Sequence, residues 1–212
     1  MTISRDKVDN IKRVLITGGT SGIGYKACLK LLSNRHEVVI FARNQKRIDE
    51  ISLKIRNELI LKDISNLDFI FHILDLSHLE EIDRIANKLL KQSMPIDTLV
   101  LNAGLQYTGS DKILLSAQGL ELTFAVNHLA HQLLAQKLMP LLIKSKKPRI
   151  IITSSEVHNP LSAGGRIGMP AGLGNLNGLR NLDNFEMLDG QSQFNADKAY
   201  KDSKLCNILF GK

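Results

Sequence analysis

Tyr200-Lys201-Asp202-Ser203-Lys204 places a phenol and an amine four residues apart. On a helix that spacing stacks both side chains on one face, within reach of a common partner. A free tyrosine loses its proton only near a pH of about 10, so at neutral pH the phenol is protonated. An ammonium beside it stabilises the phenolate and turns the phenol into a usable acid or base. Two exposed polar residues on a helix would show the same spacing. The elements that could bring further chemistry to this pair therefore decide what it means.

Those elements begin with Val14-Leu15-Ile16, a short apolar run that ends in Thr17-Gly18-Gly19-Thr20-Ser21-Gly22-Ile23-Gly24. Ile23, Ala27, Cys28, Leu31 and Leu32 then recur at helical spacing. The order is strand, glycine-rich turn, helix. Glycines let a backbone approach a pyrophosphate, and a helix N-terminus offers unpaired N–H groups at the positive end of its dipole. The spacing G-x-x-x-G-x-G differs from the G-x-G-x-x-G dinucleotide fingerprint.

A second strand, Glu37–Ala42, ends at Arg43-Asn44, with Lys46 and Arg47 close behind. In a dinucleotide fold the end of this strand meets the adenosine ribose, where an acid suits the 2′-hydroxyl of NAD and an arginine the 2′-phosphate of NADP. Neutral Ala42 and cationic Arg43 point to NADP(H). Ile48, Ile51, Ile55 and Leu59 mark a second helix. Phe69–Leu74 forms a third strand that runs into Asp75-Leu76, and Ser77 with Glu80 suggests a capping box for a third helix. Asp97–Leu101 is a fourth strand, stopping at Asn102-Ala103-Gly104. A long helix over roughly 118–142 contains Asn127, and a fifth strand, Arg149–Thr153, ends at Ser154-Ser155.

Continuously apolar strands alternating with helices predict a parallel sheet covered on both faces, doubly wound and Rossmann-like. Ligands of such sheets bind at the carboxyl ends of the strands. Gly18, Arg43, Asp75, Asn102 and Ser155 all stand at those ends. The expected organisation is a single dinucleotide-binding domain over 1–212, with a glycine-rich insertion at about 157–195. So long a stretch without periodicity suits a functional loop or lid.

Composition narrows the partners. With 43% hydrophobic residues the chain can bury a sizeable core, and a net charge of +7 suits an anionic ligand. The basic residues are spread out, with one cluster at Lys144-Ser145-Lys146-Lys147, so no nucleic-acid partner is expected. Cys28 and Cys206 stand alone, as thiols in a reducing compartment do. No apolar run is long enough for a membrane span, and the first residues carry no apolar signal core. A cytoplasmic protein follows as the expectation, with Phe124, Leu129, Leu133, Leu134 and Leu138 serving as core or as a homo-oligomer interface. His128 and His131, at i and i+3, read as packing rather than metal ligands.

Assembled, these residues resemble the short-chain dehydrogenase/reductase family: Thr17–Gly24 as its cofactor loop, Asp75-Leu76, Asn102-Ala103-Gly104, Asn127, the serine after strand five and Tyr200-x-x-x-Lys204. The resemblance implies an oxidoreductase that transfers hydride between nicotinamide and the carbonyl carbon of an apolar small molecule. It implies that Tyr200 exchanges the proton of the substrate oxygen and that Lys204 holds the nicotinamide ribose and tunes Tyr200. Ser155 would hydrogen-bond the substrate oxygen, and Asn127 would anchor a water chain to Lys204. Gly18, Thr20, Ser21, Gly22, Ile23, Gly24, Arg43, Asp75, Leu76, Asn102, Ala103 and Gly104 would bind NADP(H). Within the family, Ala196–Asn207 and Asn127-His128-Leu129-Ala130-His131 are similar to the light-dependent protochlorophyllide reductases, and the Asn-His-Leu segment is shared with retinol-dehydrogenase-like members. Asn102-Ala103-Gly104 departs from the Asn-Ala-Ala of the photoenzyme, which favours a relative with another substrate. Family members continue through two more strands, so an incomplete C-terminus, an uncovered fifth strand and a weakly stable, poorly active chain are expected.

Overall fold

The computed structural model describes residues 11–62, 64, 68–110, 112–180 and 185–212. The chain runs β1 (Arg13–Thr17), α1 (Gly22–Ser33), β2 (Glu37–Ala42), α2 (Gln45–Ile60), β3 (Phe69–Ile73), α3 (Leu79–Gln92) and β4 (Thr98–Leu101). Then follow α4 (Leu122–Phe124), a π-turn (Ala125–Leu129), α5 (Ala130–Leu142), β5 (Arg149–Ile152) and α6 (Ala196–Phe210). The strands form one sheet in the order β3-β2-β1-β4-β5, with β1 parallel to β2 and β4, and β2 parallel to β3. Stepping outward from β1 in both directions is the doubly wound order predicted from the alternation of apolar strands and helices.

The described residues divide into two compact units: those within 11–75, 84–102 and 137–151 form the first, and those within 76–83, 103–136 and 152–212 the second. In the first, every residue of β1 is buried, as are five of the six in β2. Side chains alternate across a strand, so burial of consecutive residues requires cover on both faces of the sheet. Ile16, Val38 and Ile40 pack with Cys28 and Leu32 of α1 and with Ile51, Ile55 and Leu59 of α2. Ile51, Ile55 and Leu59 of the stripe read from the sequence are therefore the packed face of α2, with Ile48 half-buried in its first turn. Burial also lifts the Cys28 thiol to about 12, which makes it an inert packing group.

In the second unit, Phe124, Phe185, Leu188 and Cys206 form a smaller cluster with Leu129 and Leu173 against it. Burial raises the Cys206 thiol to about 12 as well. The helix expected from about residue 118 starts later, at Leu122. Gly119 adopts a left-handed φ of +75°, and the Glu121 carboxylate accepts the N–H groups of Thr123 at 2.8 Å and Phe124 at 2.7 Å, which fixes the start. α3 begins at Leu79, whose N–H donates to Gln118 Oε1 at 3.2 Å.

β5 is the last strand in the sheet order, and it leaves Ile150 and Ile151 exposed. Among the described residues no helix is long and apolar enough to cross a membrane.

Candidate active site

The glycine-rich loop lies in the first unit. The Thr17 hydroxyl accepts the Asn102 N–H at 2.9 Å and donates to the Val100 carbonyl at 3.4 Å, tying the end of β1 to the end of β4. The Asn102 amide donates to the carbonyls of Thr17 (3.4 Å) and Gly18 (3.3 Å). A Cβ on Gly24 would lie 2.2 Å from the Gly18 oxygen, so the loop can fold back on α1 only with glycine there. Ser21 is the N-cap of α1 but makes no side-chain cap, and the first turn carries no acid. That helix end keeps its N–H donors and its positive dipole end available to an anion. Thr20 is half-buried, Gly22 is exposed, and Ile23 is 81% exposed beside it.

Arg43 and Lys46 are exposed just beyond β2. Arg47 is engaged: one guanidinium nitrogen donates to the Thr20 carbonyl at 2.7 Å and another pairs with Glu50 at 3.2 Å. Asp75 is half-buried past the end of β3, where the Leu74 N–H still donates to the Ala42 carbonyl. Leu76 is buried and belongs to the second unit, as do Ala103 and Gly104.

The candidate catalytic residues lie in the second unit. α6 starts where Asn195 accepts the Lys198 N–H at 2.8 Å. One face of the helix then carries Tyr200 and Lys204, with the Lys204 ammonium 5.5 Å from the centre of the tyrosine ring. Lys204 is buried and donates to the Thr153 carbonyl at 3.2 Å, and burial draws its ammonium below the usual lysine range. Asn207, one turn on, donates to the same carbonyl at 3.2 Å.

The two serines after β5 part company. The Ser154 hydroxyl is spent on the Lys204 carbonyl at 2.8 Å, whereas the hydroxyls of Ser155 and Tyr200 have no hydrogen-bond partner among the described residues. Asn127 sits inside the π-turn, a helix irregularity that recurs at functional sites. Its amide accepts from the Leu105 N–H at 2.8 Å and donates to the Leu105 carbonyl at 3.0 Å and to Ser203 Oγ at 3.1 Å. Both ends of that amide therefore hold backbone and helix in place. The Asn127 carbonyl meets Nδ1 of His131 at 3.0 Å, and burial pulls this histidine down to about 4. His128 pairs with Asn207 at 3.1 Å.

Gly104 borders this cluster. A Cβ there would meet Asn127 Oδ1 at 3.4 Å and the Lys204 ammonium at 3.5 Å, both ordinary contacts. The cluster thus has room for Asn-Ala-Ala at this point, and the departure noted in the sequence is a single methyl group that the packing does not forbid.

Residues read as spacers turn out to carry structure. Lys201 is buried, and its ammonium donates to three carbonyls of the insertion: Gly165 at 3.2 Å, Ile167 at 2.5 Å and Met169 at 3.0 Å. Lys198 pairs with Asp202 at 2.6 Å and Asp189 at 3.1 Å and donates to the Gly172 carbonyl at 2.8 Å. Asp202 in turn accepts the Gly172 N–H at 2.8 Å. The insertion is thereby fastened to the helix that carries Tyr200. The sequence held one signal for this, Lys198, Lys201 and Asp202 at i, i+3 and i+4, a pattern that more commonly marks a solvated face.

Residues 12–165 match the short chain dehydrogenase family. The chain belongs to that family. Relatives include protochlorophyllide reductase A of rice (Oryza sativa subsp. japonica), 34% identical over 92% of this chain and 51% of its own length. The protochlorophyllide reductase of oat (Avena sativa) is 33% identical over 92% of this chain and 63% of its own. The chain therefore spans between half and two thirds of the length of these reductases. Among solved structures, a metagenomic short-chain oxidoreductase in complex with NADP superposes with a TM-score of 0.63 at 25% identity, covering 93% of this chain and 72% of that one. An Escherichia coli CFT073 short chain dehydrogenase complexed with NADPH superposes with a TM-score of 0.62 at 23% identity, covering 92% and 66%. This member of the family thus has the Rossmann-like fold expected from its sequence. The family match ends inside the insertion, before Tyr200.

Proposed function

We propose that the chain carries the catalytic and cofactor residues of an NADPH-dependent oxidoreductase acting on an apolar carbonyl compound or the corresponding alcohol. The observation that carries this reading is the α6 cluster: a buried ammonium over a tyrosine ring, with the tyrosine hydroxyl and the Ser155 hydroxyl both unclaimed. The glycine loop fits a dinucleotide, since its close approach at Gly24 excludes any side chain and the start of α1 is uncapped. Gly18, Thr20, Ser21, Gly22, Ile23 and Gly24 would hold the pyrophosphate. Arg43 would take the 2′-phosphate, Asp75 and Leu76 the adenine side, and Asn102, Ala103 and Gly104 the nicotinamide half.

A bound nicotinamide supplies or accepts the hydride. The chain's own residues manage the oxygen. Ser155 donates a hydrogen bond to it, Tyr200 delivers or removes its proton, and Lys204 steadies negative charge on the phenol. Asn127 keeps the segment after β4 and the Ser203 side of α6 in register with that pair.

A second reading, light-driven reduction of protochlorophyllide, is supported by the identity to the rice and oat reductases. A third is an inactive NADP-binding chain, in which the glycine loop still holds the cofactor and turnover is lost. One experiment separates the three. The purified chain is titrated with NADPH and NADH, then mixed with NADPH and either a panel of apolar aldehydes in the dark or protochlorophyllide under illumination. Aldehyde-dependent NADPH oxidation in the dark supports the first reading, and product formed only in light supports the second. Tight NADPH binding without turnover supports the third, and tighter NADH binding overturns the cofactor assignment.

A further inference from the structure

We propose that Arg47 is a positioning residue for the dinucleotide loop, holding the Thr20 carbonyl so that the Ser21 N–H faces the pyrophosphate of NADPH and NADH alike. The inference rests on the cofactor reading above and assigns Arg47 a different task from Arg43. The C=O and N–H of one trans peptide point in opposite directions within a rigid plane. An anchor on the Thr20 oxygen therefore aims the Ser21 N–H. Arg47 supplies that anchor at 2.7 Å across 27 residues of sequence.

The guanidinium is itself held. Another of its nitrogens pairs with Glu50 at 3.2 Å, and Asn44 caps the Arg47 N–H at 2.9 Å, fixing the first turn of α2. α1 starts too late to satisfy Thr20, because its first backbone acceptor is the Ser21 carbonyl, reached by the Tyr25 N–H at 3.0 Å. Asn102 does the corresponding job at the other end of the loop, holding the Gly18 carbonyl and so orienting the Gly19 N–H. Loop carbonyls are thus drawn away by donors outside the loop, and the N–H groups of the same peptides are left for an anion. Arg43, one residue beyond β2, is exposed and shares none of these contacts.

The test is equilibrium binding of NADPH and NADH to the full chain and to Arg47→Gln, Arg47→Lys and Arg43→Ala. Arg47→Gln should raise both dissociation constants by a common factor of about ten, because one charge-assisted hydrogen bond that aims the loop is lost. The ratio between the two nucleotides should stay fixed. Arg47→Lys, which keeps a cationic donor, should recover part of the loss for both. Arg43→Ala should weaken NADPH alone. An Arg47→Gln effect confined to NADPH would make Arg47 a phosphate ligand and overturn the inference, as would affinities unchanged for both nucleotides. If the parent chain binds neither nucleotide, the cofactor reading falls and this inference with it.

Discussion

At Gly104 a family-level distinction becomes a question of free space. A methyl group there would meet Asn127 Oδ1 and the Lys204 ammonium at ordinary contact distance. Gly→Ala at a compatible backbone position stabilises by about 0.4–1 kcal/mol through the unfolded state. Gly104→Ala should therefore fold with an unchanged or slightly raised melting temperature. A lowered melting temperature would show the cluster to be tighter than these distances imply. His131 gives the pH dependence. Buried and neutral, it titrates at about 4 in the fold and at about 6.5 in the unfolded chain, so unfolding takes up a proton between those values. Its contribution is complete above pH about 6.5 and is lost as pH falls toward 4. Thermal melts across that range should decline, and His131→Phe should flatten the decline; an equal slope in both proteins would contradict this.

At the scale of elements, α6 is a helix with two duties. Tyr200 and Lys204 share the face proposed for the chemistry, while Lys198, Lys201 and Asp202 grip the insertion. Removing Lys201 would leave three carbonyls without their ammonium, costing on the order of 3 kcal/mol. Lys201→Met should lower the denaturation midpoint accordingly and speed proteolysis between 164 and 172, and unchanged cleavage would show that the grip is idle. The sequence made the helices and strands legible because their apolar spacing is local: β2 runs from Glu37 to Ala42, as read, and Ile51, Ile55 and Leu59 of the α2 stripe are its packed face. Departures came where a side chain overrode propensity. Glu121 moved the start of the Asn127 helix, and the π-turn cannot be told from an ordinary turn by hydrophobic periodicity. The grip on the insertion was hidden for a related reason. Charged residues at i, i+3 and i+4 read as solvated until the fold brings carbonyls to them.

For the whole molecule, the sheet order and the match over residues 12–165 establish the family, while the chemistry rests on the cluster in the second unit. β5, the last strand of the sheet among the described residues, exposes Ile150 and Ile151. The central claim is that Tyr200 moves a proton for a hydride transfer that depends on NADPH. It is tested most directly by measuring NADPH affinity and single-turnover NADPH oxidation, with a carbonyl substrate in excess, for the parent and for Tyr200→Phe. The account predicts equal affinities and a rate at least about a hundredfold lower in the variant, the usual scale of a lost general acid. Oxidation by Tyr200→Phe at the parent's rate would contradict it.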